Sequence, residues 1–240
     1  MNTFQSPDIS RLLQNNRYPG RGIIIGLSED GKKAVAAYFI MGRSENSRNR
    51  VFKTRENGDI FTAAFDESKV KDPSLIIYNA VRNFKNNLIV TNGDQTDTIY
   101  DFLSRGKSFE QALETREFEP DCPNFTPRIS GLLTFESGSF SYKMSILKSA
   151  DEIGSACNRY TFSYVPKAGT GHFIHTYQQD GDPLPSFAGE PERFSVKGDI
   201  DEFTQMLWNS LDTDNKISLF VRFIDLSAGT SEERIMNKNQ

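Results

Sequence analysis

The chain is short of the side chains that most metal and redox chemistry uses. Its 240 residues hold 2 Cys, 2 His and 1 Trp. Cys122 and Cys157 match no zinc-ligand spacing and are too few for a disulfide framework. They read as reduced thiols, which points to a cytoplasmic protein. His172 and His175 lie three positions apart, so on a strand they point to opposite faces, which argues against a two-histidine metal clamp. No metal is expected. No apolar run approaches the roughly 18 residues of a membrane span, and the polar stretch from Met1 to Arg17 lacks the apolar core of a secretion signal. Positive charge is not in excess either. With 28 Lys+Arg against 32 Asp+Glu the formal net charge is -4, so no chain-wide attraction to nucleic acid or an anionic membrane follows. There is also no Walker A loop, no GxGxxG after a strand, no GxSxG and no HExxH. The chemistry left to the chain is that of Arg, Glu, Tyr and Asn.

Aromatic volume is plentiful: 19 Phe and 8 Tyr can fill the core of a large domain. No internal repeat or low-complexity linker divides the sequence, so residues 1–228 are expected to form one domain, with a polar C-terminal tail over 229–240. Gly22 to Gly26 and Lys33 to Ile40 flank turn residues and predict a β-hairpin. Leu75 to Phe84 and Leu88 to Thr91 predict a second. The period then changes: Thr96 can cap a helix through Leu103, and Ser108 with Gln111 has capping-box spacing for another toward Phe118. Arg128 to Phe135, Ser139 to Leu147, Tyr160 to Val165 and His172 to Tyr177 read as strands. Asp199 to Leu211 reads as an amphipathic helix and Ile217 to Leu226 as a buried strand. Strands in runs, with helices grouped between them, predict an α+β fold with mostly antiparallel sheets.

Four segments carry polar groups suited to a site. Arg43 to Arg50 follows a strand and concentrates three arginines, two serines and two asparagines, a donor set that suits phosphate oxygens; a solvated polar turn is the plainer alternative. Thr91 to Asp97 joins a strand to a helix, so its N–H groups could face an anion, or simply form a capped turn. Phe118 to Arg128 is a proline-stiffened loop presenting Glu119, Asp121, Asn124, Thr126 and Arg128, in which a carboxylate beside an arginine could serve as acid or base, or only as an ion pair. Gly169 to Tyr177 and the turn-rich stretch to Phe187 form the fourth.

Read in order, Tyr18-Pro-Gly-Arg-Gly22, Arg43-Ser44 with Asn49-Arg50, Ile77-Tyr-Asn79 with Arg82, Thr91-Asn-Gly93 with Thr96-Asp97, and Phe118-Glu119 with Asn124 and Thr126-Pro-Arg-Ile129 resemble the archaeal-type IMP cyclohydrolase family. Gly169 to Phe187 lies beyond the match and resembles an elaboration of bacterial relatives. The resemblance implies a four-layer αββα sandwich like that of the N-terminal-nucleophile hydrolases, two mostly antiparallel sheets between helical layers. It implies dehydrating ring closure of 5-formamidoimidazole-4-carboxamide ribonucleotide (FAICAR) to IMP, with no cofactor and with a homo-oligomeric assembly. Arg50, Tyr78 and Glu119 then fall at the reacting centre. Arg21, Arg43, Ser44, Asn49, Asn92, Thr126, Arg128 and His172 are expected to contact phosphate, ribose or base. In a chain beginning Met1-Asn2-Thr3, Thr3 would need unusual processing to become the terminal nucleophile of those hydrolases, so amidohydrolysis by that route is not expected. An amidohydrolase on the same fold, or a nucleotide sensor without turnover, are the competing expectations.

Overall fold

Three consecutive isoleucines, Ile23 to Ile25, are all fully buried. Successive side chains on a strand alternate between faces, so both faces of this strand must be covered. Ile23 and Ile25 join an apolar cluster with Ile129, Leu133, Met144 and Ile146, whereas Ile24 joins another with Leu13, Phe203 and Leu207. Burying each such side chain contributes about 1.5–3 kcal/mol, and it fixes which layer lies on which side.

The computed structural model describes residues 6–70 and 77–239. Met1-Asn2-Thr3 and the Leu75 end of the second expected hairpin lie outside the described residues. In chain order the helices are α1 (Ile9–Asn15), α2 (Glu45–Arg48), α3 (Gln95–Ser104), α4 (Phe109–Glu114) and α5 (Ile200–Ser210). The strands are β1 (Arg21–Leu27), β2 (Lys33–Met41), β3 (Arg50–Thr54), β4 (Ile60–Ala64), β5 (Asn79–Phe84), β6 (Asn87–Thr91), β7 (Arg128–Glu136), β8 (Ser139–Ser149), β9 (Cys157–Tyr164), β10 (Thr170–His175), β11 (Glu192–Ser195), β12 (Lys216–Asp225) and β13 (Ser231–Asn237).

They form two antiparallel sheets, one of six strands in the order β11-β10-β1-β2-β12-β13 and one of seven in simple succession from β3 to β9. The first cluster draws on both sheets. The second joins the six-stranded sheet to α1 and α5, and a third joins β6, β7 and β8 to α3 and α4. At Gly131 the sheets approach so closely that an added Cβ would stand 2.7 Å from Cδ1 of Ile25. Among the described residues no helix is long and apolar enough to cross a membrane.

The expected hairpins, the β7–β8 pair and α5 are present, as is the capping box of Ser108 and Gln111. Three expectations need correction. The helix from Ser108 ends at Glu114, short of Phe118. Thr96 is not a cap: it is buried inside the first turn of α3, its hydroxyl bonded to Gly93 O and Thr91 Oγ1. Residues 231–237 are not a loose tail but an edge strand paired along β12 from Ser218–Asn237 to Ile224–Ser231. Most of its side chains are polar and at least partly exposed; Ile235 and Met236 pack against the first and second apolar clusters, which is too little for a strand pattern to be read.

Candidate active site

Arg21, Arg50 and Arg128 are each the first residue of a strand, β1, β3 and β7. Strand ends are where polar side chains can gather without breaking a sheet interior. Beside them lie Tyr78, just before β5, and Glu119, in the loop after α4. Four of the five are nearly sealed off: Arg50 is 1% exposed, Tyr78 and Glu119 6%, Arg128 7%. Such charges are costly to bury unless they serve one another or a ligand.

The Glu119 loop is held by Glu119 N–H donating to Thr126 O at 2.9 Å. Thr126 Oγ1 meets Tyr177 OH at 2.6 Å and also donates to Asp121. Burial pushes the Glu119 carboxyl up to about 7, with Arg21 and Arg128 opposing and Asp121 reinforcing the shift. The same groups meet at Gly93, where an added Cβ would lie 3.5 Å from Glu119 Oε1 and 2.5 Å from Arg128 Nη1.

Arg50 donates through Nε to Ser47 O at 2.9 Å, while its Nη2 is buried with no partner. Burial, followed by the neighbouring Arg21, lowers its affinity for a proton. Arg21 keeps its charge more firmly than usual: burial opposes it, but Tyr177, Tyr18 and Glu119 outweigh that. Near both cations, the hydroxyls of Tyr78 and Tyr38 are 2.7 Å apart. Tyr78 remains a neutral phenol to higher pH than usual because of its burial, against the pull of Arg50. The centre thus combines a carboxyl that can change protonation near neutrality, a phenol and guanidinium N–H groups lacking an acceptor. That set can move a proton and stabilise developing negative charge on oxygen.

The structure sorts the other expected residues. Asn49 is committed to the fold, its amide exchanging bonds of 2.8 Å with the backbone of Asp66. Asn92 likewise donates to Pro127 O at 2.9 Å and accepts from Ile129 N at 2.8 Å, tying β6 to β7. Ser44 is the N-cap of α2, accepting from Ser47 N at 3.1 Å. Arg128 donates to Gln95 Oε1 at 2.8 Å and pairs with Asp94 Oδ1 at 2.7 Å. Arg43 reaches Asp180 at 2.8 Å and Gly181 O at 2.9 Å and lies over the Tyr18 ring.

His172 is not among the groups gathered around Glu119. Its Nδ1 is 2.6 Å from Tyr142 OH and its ring stacks on Tyr164. Thr176, which holds Arg21, is four residues further on, roughly 13 Å at the rise of a strand. His175 lies beside Phe173, which belongs to the cluster on the α1 and α5 side, as opposite-face geometry requires. Two groups of the centre were missed from sequence, Tyr38 and Tyr177. For Tyr38 a signal existed: a lone hydroxyl inside Ala34-Val-Ala-Ala-Tyr-Phe-Ile-Met41, an all-apolar strand, must find a buried partner.

The model of the family described as IMP cyclohydrolase-like protein matches residues 18–229. A Methanococcus maripaludis protein named IMP cyclohydrolase is 34% identical over 130 residues, 52% of this chain and 62% of that one. The chain thus spans less than two thirds of that relative. A Methanopyrus kandleri protein of the same name is 30% identical over 180 residues, covering 71% and 89%, and one from Haloquadratum walsbyi is 29% identical over 192, covering 78% and 82%. The family match takes in the whole gathered centre, from Tyr18 to Tyr177, and the chain belongs to the IMP cyclohydrolase-like family.

Proposed function

We propose that the chain is an IMP cyclohydrolase, closing the second ring of FAICAR to give IMP and water. The carboxamide nitrogen attacks the formyl carbon of the same molecule and gives up one proton. The formyl oxygen then leaves as water, taking that proton and the one from the formamido nitrogen, as a C=N bond forms. Both reacting groups sit on one imidazole, so much of the proximity is built into the substrate. What the protein must add is a proton acceptor, charge stabilisation on the formyl oxygen and a hold on the nucleotide.

The observation that carries this reading is the buried Glu119 carboxyl, poised near 7, beside a phenol and a guanidinium with an unpartnered N–H. Glu119 accepts the carboxamide proton and relays it to the departing water. Tyr78 donates to the formyl oxygen, and Arg50 stabilises its charge. Arg21 and Arg43 are the contacts for phosphate and ribose. Ser44, Asn49, Asn92, Thr126 and Arg128 act by holding this frame, since their polar atoms already bond to protein.

The same proposal covers the architecture: one domain, folded as a four-layer αββα sandwich of the N-terminal-nucleophile hydrolase kind, supported by three separate apolar clusters. A cytoplasmic homo-oligomer completes it. The test is an ultraviolet assay of the purified protein with FAICAR, beside Glu119→Gln. Conversion to IMP that falls about 100- to 10,000-fold in the variant is expected for loss of a general base. A protein that IMP stabilises against heat but that turns nothing over would be a nucleotide sensor instead.

A further inference from the structure

Tyr38 has no place in the steps just described, yet it touches the centre. It sits in β2, in the six-stranded sheet, fully buried and packed against Phe52 with ring centroids 5.5 Å apart. Tyr78 precedes β5 of the other sheet, so their 2.7 Å hydroxyl contact spans the space between the sheets. Each hydroxyl has one proton, and only one of the two protons can lie in that bond. Tyr38 is sealed at 0% exposure and its hydroxyl makes no other bond among the described residues, whereas Tyr78 retains 6% exposure and has Arg50 as the strongest charge acting on it.

We propose that Tyr38 is a positioning residue that donates its hydroxyl proton to Tyr78, so that the Tyr78 proton is left pointing at the reacting oxygen. Tyr38 never touches substrate; it fixes which way Tyr78 donates and, by donating to the Tyr78 oxygen, makes the Tyr78 O–H a stronger donor. The proposal rests on the cyclohydrolase reading for its kinetic consequence but not for the bond itself. The electrostatics agree: the contact favours ionisation of Tyr78 and disfavours that of Tyr38, as expected when Tyr38 is the donor.

The experiment is Tyr38→Phe, which keeps the ring and removes the hydroxyl, beside Tyr78→Phe and the double variant. Tyr38→Phe is expected to lower kcat roughly tenfold to a hundredfold, the scale of one hydrogen bond to a group that gains charge. KM should stay within about twofold, since only a transition-state interaction is lost. The high-pH limb of kcat should move upward, because Tyr78 without its donor holds its proton longer. The double variant should be no slower than Tyr78→Phe alone. Losses that multiply, or an unmoved high-pH limb, would overturn the proposal.

A second measurement needs no turnover. In protein labelled at the hydroxyl-bearing carbon of tyrosine, Tyr78→Phe should remove one resonance and displace that of Tyr38. If no other tyrosine resonance moves, the pair does not exist and the proposal fails, whatever reaction the protein performs. If the Tyr38 resonance moves while FAICAR is untouched, the pairing stands and the cyclohydrolase reading is what has failed.

Discussion

Gly93 and Arg128 are packed with no room for another carbon between them: a Cβ on Gly93 would stand 2.5 Å from Nη1 of Arg128 and 2.7 Å from Oε1 of Gln95. Arg128 cannot swing aside cheaply, being held by both Gln95 and Asp94. Gly93→Ala should therefore destabilise the protein by about 1–3 kcal/mol, the usual cost of overpacking a filled site. It should also lower kcat, because Arg128 and Glu119 share that wall. Thermal melts and FAICAR kinetics on the variant check both parts. Full activity would mean that the wall can move without disturbing Glu119.

Glu119 should make stability depend on pH in a particular direction. Its folded value of about 7 lies above the ordinary 4.5, so the folded state binds the proton more tightly than the unfolded chain. The associated stability is complete below the unfolded value and is lost as pH rises through about 7. Glu119→Gln cannot ionise, so above neutrality it should be more stable than the parent, by at most about 3 kcal/mol for a shift of this size. Kinetically, the limb of kcat/KM that rises near pH 7 should vanish in the variant. Denaturant titrations across the pH range would show the crossing; parallel curves for the two proteins would mean that Glu119 is not buried as a neutral acid.

Much of this was legible in the sequence, for identifiable reasons. Gly22 to Gly26 and Lys33 to Ile40 announce β1 and β2 because their burial on two faces demands continuous apolar runs. Glu119, Tyr78 and Arg50 stand in the ordered motifs that carry the family resemblance, and the fold brings the three side chains near one another. What escaped has a physical cause too. The strands β3 and β4, five residues each, offer too few alternations to be distinguished from loop. Tyr38 and Tyr177 become site residues only because other segments are brought to them, which no local pattern records. His172 was expected to contact the nucleotide from the family resemblance, but its partners Tyr142 and Tyr164 come from β8 and β9 of the other sheet.

His172 should respond to pH in the sense opposite to Glu119. Burial, with help from Arg193, lowers its value to about 4, below the ordinary 6.5. Its contribution to stability is therefore complete above 6.5 and is lost as pH falls through about 4, where the folded state must accept the charge. His172→Gln should reduce acid sensitivity between those limits and leave kcat/KM for FAICAR unchanged at neutral pH. Acid titrations followed by circular dichroism, paired with the kinetic assay, separate the two effects. A large kinetic loss at unchanged stability would return His172 to the site.

The closing strand should matter to the centre it does not touch. Asn237 behaves toward β3 like a strand residue: its Oδ1 accepts from Phe52 N at 2.8 Å and its Nδ2 donates to Phe52 O at 3.2 Å. Just beyond it, Asn239 Nδ2 donates to Arg48 O at 2.6 Å, at the end of α2 and two residues before Arg50. Asn237→Ala should cost about 1–3 kcal/mol by leaving backbone groups of an edge strand without partners. Asn239→Ala, at a half-buried position near the chain end, should change the melting temperature little but lower kcat by loosening the segment that carries Arg50. Equal kcat in parent and Asn239→Ala would show that Ser47 alone fixes Arg50.

The segment from Gln178 to Phe187 is pinned at both ends, by Arg43 to Asp180 at 2.8 Å and by Leu184 N–H to Asn124 Oδ1 at 3.0 Å. The Arg43–Asp180 pair is about 40% exposed on each side, so it contributes only about 0–1 kcal/mol to stability. Its consequence lies elsewhere. The Asp180 carboxylate occupies the guanidinium that the proposed function assigns to phosphate, so substrate must displace it. Asp180→Ala should lower KM for FAICAR and leave kcat and the melting temperature nearly unchanged, whereas Arg43→Ala should raise KM. An unchanged KM in Asp180→Ala would mean that Arg43 is a strap anchor only, and that the phosphate is held by Arg21.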